Sequence, residues 1–366
     1  MPASPSRVSN AIRRLAPFTD LLFDGGWLDF AVHRINPLFS VGRTRARVID
    51  KRRETPDTMS LLLKPNDNWA GFEPGQYVPL RVEIRGVWQE RCYSPTSDPA
   101  AKTLQITVKR QPGGLVSNWI HDDLAVGDVV ELGTAAGEFI LPAALPNRLL
   151  LIAGGSGITA TGSLLEAALR RQPGTNVVLA YYAENYSGFA FLDDLRAKTA
   201  TYPHFRLQLC VAGEPQSADD LQGWFSPEQL ATYCPDAVER ETYVCGPAGL
   251  MQAVHAHYEA KSLAGRLHQE YFALPAPRRE STTAIEVTFA GSGVTVDTTE
   301  PTLLLAAEKA GLKPRSACRM GICNTCSCIK VKGVTRDIIT GLVDDTPHSV
   351  IRTCVSEPLS AVTLDI

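Results

Sequence analysis

A chain of 366 residues is longer than one hydrophobic core usually spans, so two or three domains are expected. Its 44% hydrophobic and 20% charged residues are those of a soluble globular protein, and no apolar run nears the roughly 18 residues that a bilayer-spanning helix needs. A net charge of −3 removes any global case for nucleic-acid binding.

Residues 1–43 read as an N-terminal extension. Short amphipathic pieces, Ser9 to Leu15 and Trp27 to Ile35, are broken by Pro17, Gly25, Gly26 and Pro37. The stretch MPASPSRVSNAIRRL has no apolar core followed by a small-residue cleavage site, so a cytoplasmic location is expected. Residues 1–53 hold ten Arg or Lys against four Asp. In the extension, Arg7, Arg13, Arg14, Arg34 and Arg43 accompany Ile12, Leu15, Phe18, Leu22, Trp27 and Phe30, a mixture that suits an anionic membrane surface or a membrane-bound partner. Surface helices packed on a neighbouring domain carry the same pattern, so that reading stays open beside it.

From residue 44 to 145, short alternating segments (RARVIDKR, SLLLK, QYVPLRVEI, LQITVKR, DVVELG) are separated by turn residues, which predicts a small antiparallel β-barrel. From 146 to 273 the pattern changes to apolar strands alternating with amphipathic helices, the mark of a doubly wound α/β sheet. Residues 274–282, rich in Pro and Arg, form the best linker. Residues 283–366 begin with a hairpin, AIEVTFAGSGVTVDT, and continue with a helix ending at Gly311.

Four cysteines follow within eleven residues. Cys318, Cys323 and Cys326 are spaced C-x4-C-x2-C, and Cys354 lies 28 residues beyond Cys326 in the strand-like segment IRTCVS. That is the plant-type [2Fe-2S] ligand spacing, with one loop supplying three thiolates and a distant strand the fourth. Structural zinc usually takes paired C-x2-C knuckles, and only one such pair occurs here. Gly321 suits a loop that must bring its backbone close to inorganic sulfur. Cys328 is spare and reads as a small apolar residue. With the hairpin before it and the strand after it, CRMGICNTC resembles the plant-type ferredoxin domain, an α+β β-grasp fold. Freely diffusing ferredoxins are strongly acidic, whereas residues 283–366 hold nine acidic and eight basic side chains. A tethered domain needs less electrostatic steering toward its own reductase.

Two further motifs sit in the barrel region. Arg91-Cys92-Tyr93-Ser94 resembles the R-x-Y-S flavin motif of the ferredoxin-NADP reductase family. The resemblance implies Arg91 on flavin phosphate, Tyr93 stacked on the isoalloxazine and Ser94 near the reactive ring nitrogen, roles that suit a bidentate guanidinium, an aromatic face and a small hydroxyl. The stretch VKRQPGGLVSNWIHDDL, with Lys109, Gly114, Val116 and Ser117, resembles the FAD-binding form of flavohaemoglobin reductase domains, which implies FAD. Glycines before a capping serine make a helix N-terminus suited to pyrophosphate.

In the α/β region, Gly154-Gly155-Ser156-Gly157-Ile158-Thr159 follows an apolar strand, and Cys245-Gly246-Pro247 ends another about ninety residues on. In this order the pair resembles the nucleotide domain of the same reductase family, which implies Thr159 and Cys245 beside the hydride path; a buried strand residue is the alternative for Cys245. Phe272, in Glu270-Tyr271-Phe272, either covers the flavin or is a core aromatic. Ala183-Glu184-Asn185 offers an acid for ribose hydroxyls and no arginine immediately placed for a 2′-phosphate, which leans toward NADH; Arg196 on the following helix keeps NADPH open.

The resemblance covers residues 44–366 and implies an NAD(P)H-dependent oxidoreductase that uses FAD and a [2Fe-2S] cluster to send single electrons to a partner protein. RETPDT, PGQYV, CRMGIC and TCVSEPLSAVTLDI together resemble reductases of membrane acyl-lipid or acyl-CoA desaturases. A soluble ring oxygenase or a cytochrome P450 is the alternative acceptor, and a redox-sensing module without turnover is an alternative of another class.

Overall fold

A computed structural model describes residues 36–272, 283–316, 319–321 and 324–366. It divides into two compact units, one built on an antiparallel sheet and including residues 162–173 and 187–192, the other holding a parallel sheet and the C-terminal sheets. No helix among the described residues is long and apolar enough to cross a membrane.

The antiparallel sheet contains β1 (Thr44–Thr55), β2 (Thr58–Pro65), β3 (Val78–Ile84), β4 (Val87–Tyr93), β5 (Leu104–Lys109) and β6 (Val129–Leu132), in the order β4-β3-β6-β1-β2-β5. A bridge between Pro95 and Ile106 links the end of β4 back to β5 and closes the sheet into a barrel. Alternation along β3 buries Val78, Leu80, Val82 and Ile84 and turns that face of the strand inward. Helix α1 (Leu115–Asp122) contributes Val116 and Ile120 to the same core. Each such side chain contributes about 1.5–3 kcal/mol by leaving water, so the helix that follows the Gly-Gly turn is held to the barrel by packing. The end of the extension is also tied to the barrel. Asn66 Nδ2 donates to the carbonyls of Leu38 and Arg43, Asn68 Nδ2 to that of Ser40, and Arg45 to those of Pro37 and Phe39. The amphipathic pieces at 9–15 and 27–35 lie outside the described residues.

The parallel sheet contains β7 (Arg148–Gly154), β8 (Asn176–Ala183), β9 (Phe205–Val211), β10 (Leu221–Gln222), β11 (Glu241–Cys245) and β12 (Leu267–Glu270), in the order β10-β9-β8-β7-β11-β12. The crossovers carry α2 (Ile158–Arg171), α3 (Leu192–Thr201), α4 (Pro227–Tyr233) and α5 (Ala248–Ala260). The chain moves outward from β7 through β8 and β9, then returns to place β11 on the other side of β7. The strand order therefore reverses between β7 and β11, the place where such sheets bind ligands at their C-terminal ends.

The C-terminal part has a mixed sheet, order β14-β13-β20-β15-β18, made by β13 (Ile285–Phe289), β14 (Val294–Thr298), β15 (Ser327–Lys332), β18 (Ser349–Arg352) and β20 (Val362–Leu364). A smaller sheet holds β16 (Thr335–Asp337), β17 (Val343–Asp344) and β19 (Ser356–Pro358). Helix α6 (Leu303–Lys309) packs its Leu303, Ala306 and Ala307 with Val287, Phe289 and Leu364. Thr302 caps it by accepting from the Leu305 amide at 3.4 Å.

Candidate cofactor sites

The flavin motif occupies the end of β4 and the turn after it. Ser94 is 2% exposed, and its buried Oγ has no hydrogen-bond partner among the described residues. An orphaned buried hydroxyl is costly unless something supplies the missing bond, so this atom fits a polar ligand such as a flavin ring edge. Tyr93 beside it is half-buried, and burial pushes its phenol well above the ordinary range. Arg91 Nη1 donates to the Glu90 carbonyl at 2.7 Å, and no carboxylate among the described residues pairs with Arg91. Its charge is thus available for phosphate. Lys109 pairs instead with Asp57 at 3.3 Å.

The Gly-rich turn corrects one expectation. Helix α1 begins at Leu115 with Gly114 as its N-cap, three residues before Ser117, the serine expected to cap it. Ser117 sits inside the first turn, where its Oγ accepts from the Gln111 amide at 3.1 Å. The side chain is turned back to close the Gly-Gly loop, so the free amides at the helix start are presented by backbone alone. Val116 is 1% exposed with its side chain in the barrel core, which leaves only its amide to face an anion.

In the second unit the two nucleotide motifs, far apart in sequence, meet backbone to backbone. A Cβ on Gly157 would stand 2.0 Å from the Cys245 carbonyl oxygen, and one on Gly246 would stand 3.1 Å from Gly154 Cα. Only glycine allows this approach. The turn Gly155–Gly157 closes at the end of β7, and Thr159 Oγ1 donates to the Ser156 carbonyl at 3.0 Å. Pro247 is the N-cap of α5. Cys245 is fully buried, and burial, then the neighbouring Glu270, push its thiol well above its ordinary value.

Sequence placed Glu270 in the segment Glu270-Tyr271-Phe272 without giving it a role. The register of β11 with β12 sets it opposite Cys245. Its Oε2 is sealed from solvent without a partner, and burial pushes the carboxyl up to about 8. The pair places a protonated carboxyl beside a neutral thiol at the C-terminal edge of the sheet. Half-buried Phe272 follows two residues later. The folded chain holds the Glu270 proton more tightly than the unfolded chain, so stability is withdrawn as pH rises past 4.5 and through 8. Glu270→Gln is therefore expected to melt several degrees above wild type at pH 9 and level with it at pH 5, each pKa unit being worth about 1.4 kcal/mol. Calorimetry at the two pH values checks this; an equal difference at both would refute the buried carboxylate.

The C-terminal domain brings Cys326 and Cys354 together from two turns, one just before β15 and one between β18 and β19, where a strand had been expected to supply Cys354. Cys326 is 5% and Cys354 4% exposed, and they share a small core with Leu304 and Val355. The amide and hydroxyl of Thr353 both donate to the Cys326 carbonyl, at 3.2 and 3.1 Å. Gly321, at φ +74°, donates its amide to Cys354 Sγ at 3.2 Å, and a Cβ there would stand 2.7 Å from Val355. An N–H aimed at a buried sulfur, in a loop with no room for a side chain, fits a thiolate-bound cluster. Cys318 and Cys323 lie outside the described residues. Cys328 packs against the core beneath α6, and burial pushes its thiol up to about 12.

Comparison with known proteins agrees with this division. Family models match residues 45–140 ("Oxidoreductase FAD-binding domain"), 151–256 ("Oxidoreductase NAD-binding domain") and 287–359 ("2Fe-2S iron-sulfur cluster binding domain"). An NADPH oxidoreductase of Mycobacterium tuberculosis is 34% identical over 346 residues, covering 92% of this chain and 88% of its own length. The chain belongs to the ferredoxin-NADP reductase family, in the form fused to a C-terminal plant-type [2Fe-2S] domain. The glycine betaine monooxygenase reductase subunit of Chromohalobacter salexigens is 29% identical to this reductase, with 88% of this chain and 95% of that one aligned. The structure of phthalate dioxygenase reductase superposes with a TM-score of 0.58 at 25% identity, over 88% of this chain and 97% of that one. The reductase is thus an NAD(P)H-dependent electron-transfer oxidoreductase with FAD and a [2Fe-2S] cluster as cofactors.

Proposed function

We propose that this reductase delivers single electrons from NAD(P)H to an oxygen-activating partner protein, and that the partner is a membrane-bound fatty-acid or acyl-CoA desaturase. The observation that carries the electron exit is the Gly321 amide on Cys354 Sγ, in a domain that follows flavin and nucleotide domains in one chain. Flavin and cluster supply hydride acceptance and one-electron release when bound; the protein supplies binding, orientation and exclusion of water. Arg91 and the α1 amides hold phosphate, Tyr93 covers the ring, and Ser94 completes its hydrogen bond on the ring edge. The touching turns at Gly157 and Gly246 accept the pyridine nucleotide, with Thr159, Cys245 and Pro247 beside it and Phe272 near the flavin. Cys318, Cys323, Cys326 and Cys354 hold the iron.

An oxygenase-type acceptor is supported by relatives named as oxygenase reductase subunits that align over most of their length. The desaturase reading rests on the sequence resemblance and on the cationic and apolar residues of 1–35, which suit a lipid surface. Because residues 37–40 are bound to the barrel, the truncation that tests it begins at Asn36. The full chain is expected to support NAD(P)H-dependent desaturation in membranes bearing a desaturase and to bind anionic liposomes in a salt-sensitive way. The truncated chain is expected to lose liposome binding while keeping reduction of soluble acceptors. Turnover with a soluble ring oxygenase or a P450 and none with desaturase membranes would give the partner to the alternative class. A truncated chain that sheds FAD would make the segment structural.

A further inference from the structure

The Gly321 loop is gripped by one guanidinium. Arg352 ends β18, two residues before Cys354, and its Nη1 donates to the carbonyl of Gly321. Its Nη2 donates to Asp337 Oδ2 at 3.0 Å. Asp337 is itself fixed at the end of β16, its Oδ1 accepting from the amides of Ile339 and Thr340 at 2.9 and 3.0 Å. The Arg352 carbonyl accepts from the Val355 amide and the Ser356 hydroxyl, at 3.0 and 2.9 Å, which anchors the residue that carries the guanidinium. Gly321 is therefore held at both ends, its carbonyl by Arg352 and its amide by Cys354 Sγ.

We propose that Arg352 is a positioning residue for the iron-sulfur cluster: by bridging the Gly321 carbonyl to Asp337 it keeps the Gly321 amide on Cys354 Sγ and so sets the cluster's reduction potential. The proposal rests on Cys354 being a ligand. Hydrogen bonds to ligand sulfur favour the more negative, reduced cluster, and the partners that orient them tune metal sites from outside the ligand shell. The bridge suits the rigid planar fork of arginine, whose separated donors are fixed in direction, whereas a lysine ammonium is a point charge on a flexible stem and does not hold the same two contacts in one geometry. Charge alone is the weaker explanation. The Arg352 side chain is 36% exposed and already paired with Asp337, so its field is screened by solvent and partly cancelled.

The test uses full-length protein with flavin and cluster in place, comparing wild type, Arg352→Gln and Arg352→Lys by anaerobic redox titration followed by electron paramagnetic resonance. Both variants are expected to have a lower midpoint potential, with the oxidised-to-reduced ratio at the wild-type midpoint about threefold higher, or ~30 mV for one electron. Release of iron to a chelator is expected to be several-fold faster in both. A wild-type potential in Arg352→Lys would overturn the proposal by showing that charge suffices, and an unchanged potential in Arg352→Gln would overturn it outright. If Arg352→Gln purifies without iron, the potential and iron release of Arg352→Lys decide. Wild-type protein lacking iron and sulfide would refute the ligand assignment itself, separately from the role of Arg352.

Discussion

Cys354→Ser is expected to lower NAD(P)H-dependent reduction of cytochrome c by roughly 100-fold, about 2.7 kcal/mol of barrier, while reduction of ferricyanide continues. On the proposed order of transfer, cytochrome c, a one-electron protein acceptor, is expected to be served through the C-terminal domain and ferricyanide by the flavin directly. Cys354 is 4% exposed and receives the Gly321 amide, so serine replaces the buried sulfur expected to bind iron with a poorer ligand. The domain's fold does not hang on this side chain alone. The β13–β14 hairpin, the parallel pairing of β13 with β20 and the α6 core are all formed by other residues. Steady-state assays with the two acceptors, run beside circular dichroism, check the result. Equal loss of both activities in folded protein would show that the domains do not act in series as described.

Arg91→Ala is expected to purify largely free of flavin. Hydrogen bonds to charged groups contribute about 1.5–3 kcal/mol each, and losing a bidentate contact to phosphate weakens binding by two orders of magnitude or more at ~1.4 kcal/mol per tenfold. The guanidinium has no carboxylate partner among the described residues to compete for it, so the whole charge is at the ligand's disposal. Arg91→Lys should retain part of the flavin, because lysine restores the charge without the fork. The ratio of flavin to protein absorbance after gel filtration measures both variants; full occupancy in Arg91→Ala would remove Arg91 from the phosphate site.

The four ordered motifs were legible because each is a local pattern with a local physical cause. Glycines must stand where backbones touch, and the spacing of Cys318, Cys323 and Cys326 must let one loop surround a cluster. What escaped were the properties set by long-range pairing. Glu270 looks like an ordinary strand-end carboxylate, and only the register that puts it opposite Cys245 buries its oxygen. The grip of Arg352 on Gly321 joins residues 31 apart and gives no pattern in the sequence. The helix after the Gly-Gly turn was expected to start at its serine. In the fold Ser117 serves the loop behind it, and Gly114, the tighter residue, takes the cap. The separateness expected of residues 1–43 fails to convey that 37–40 are hydrogen-bonded to the barrel, because those bonds run to backbone carbonyls that any residue carries.

Electron export through an iron-sulfur cluster is the central claim, and anaerobic reduction of the purified protein with NAD(P)H, read by electron paramagnetic resonance beside iron and sulfide analysis, tests it most directly. The expected result is about two irons and two sulfides per chain and a spin-one-half signal from a reduced [2Fe-2S] cluster that appears on adding NAD(P)H. Zinc without acid-labile sulfide, or a flavin that bleaches with NAD(P)H while no cluster signal develops, would contradict it.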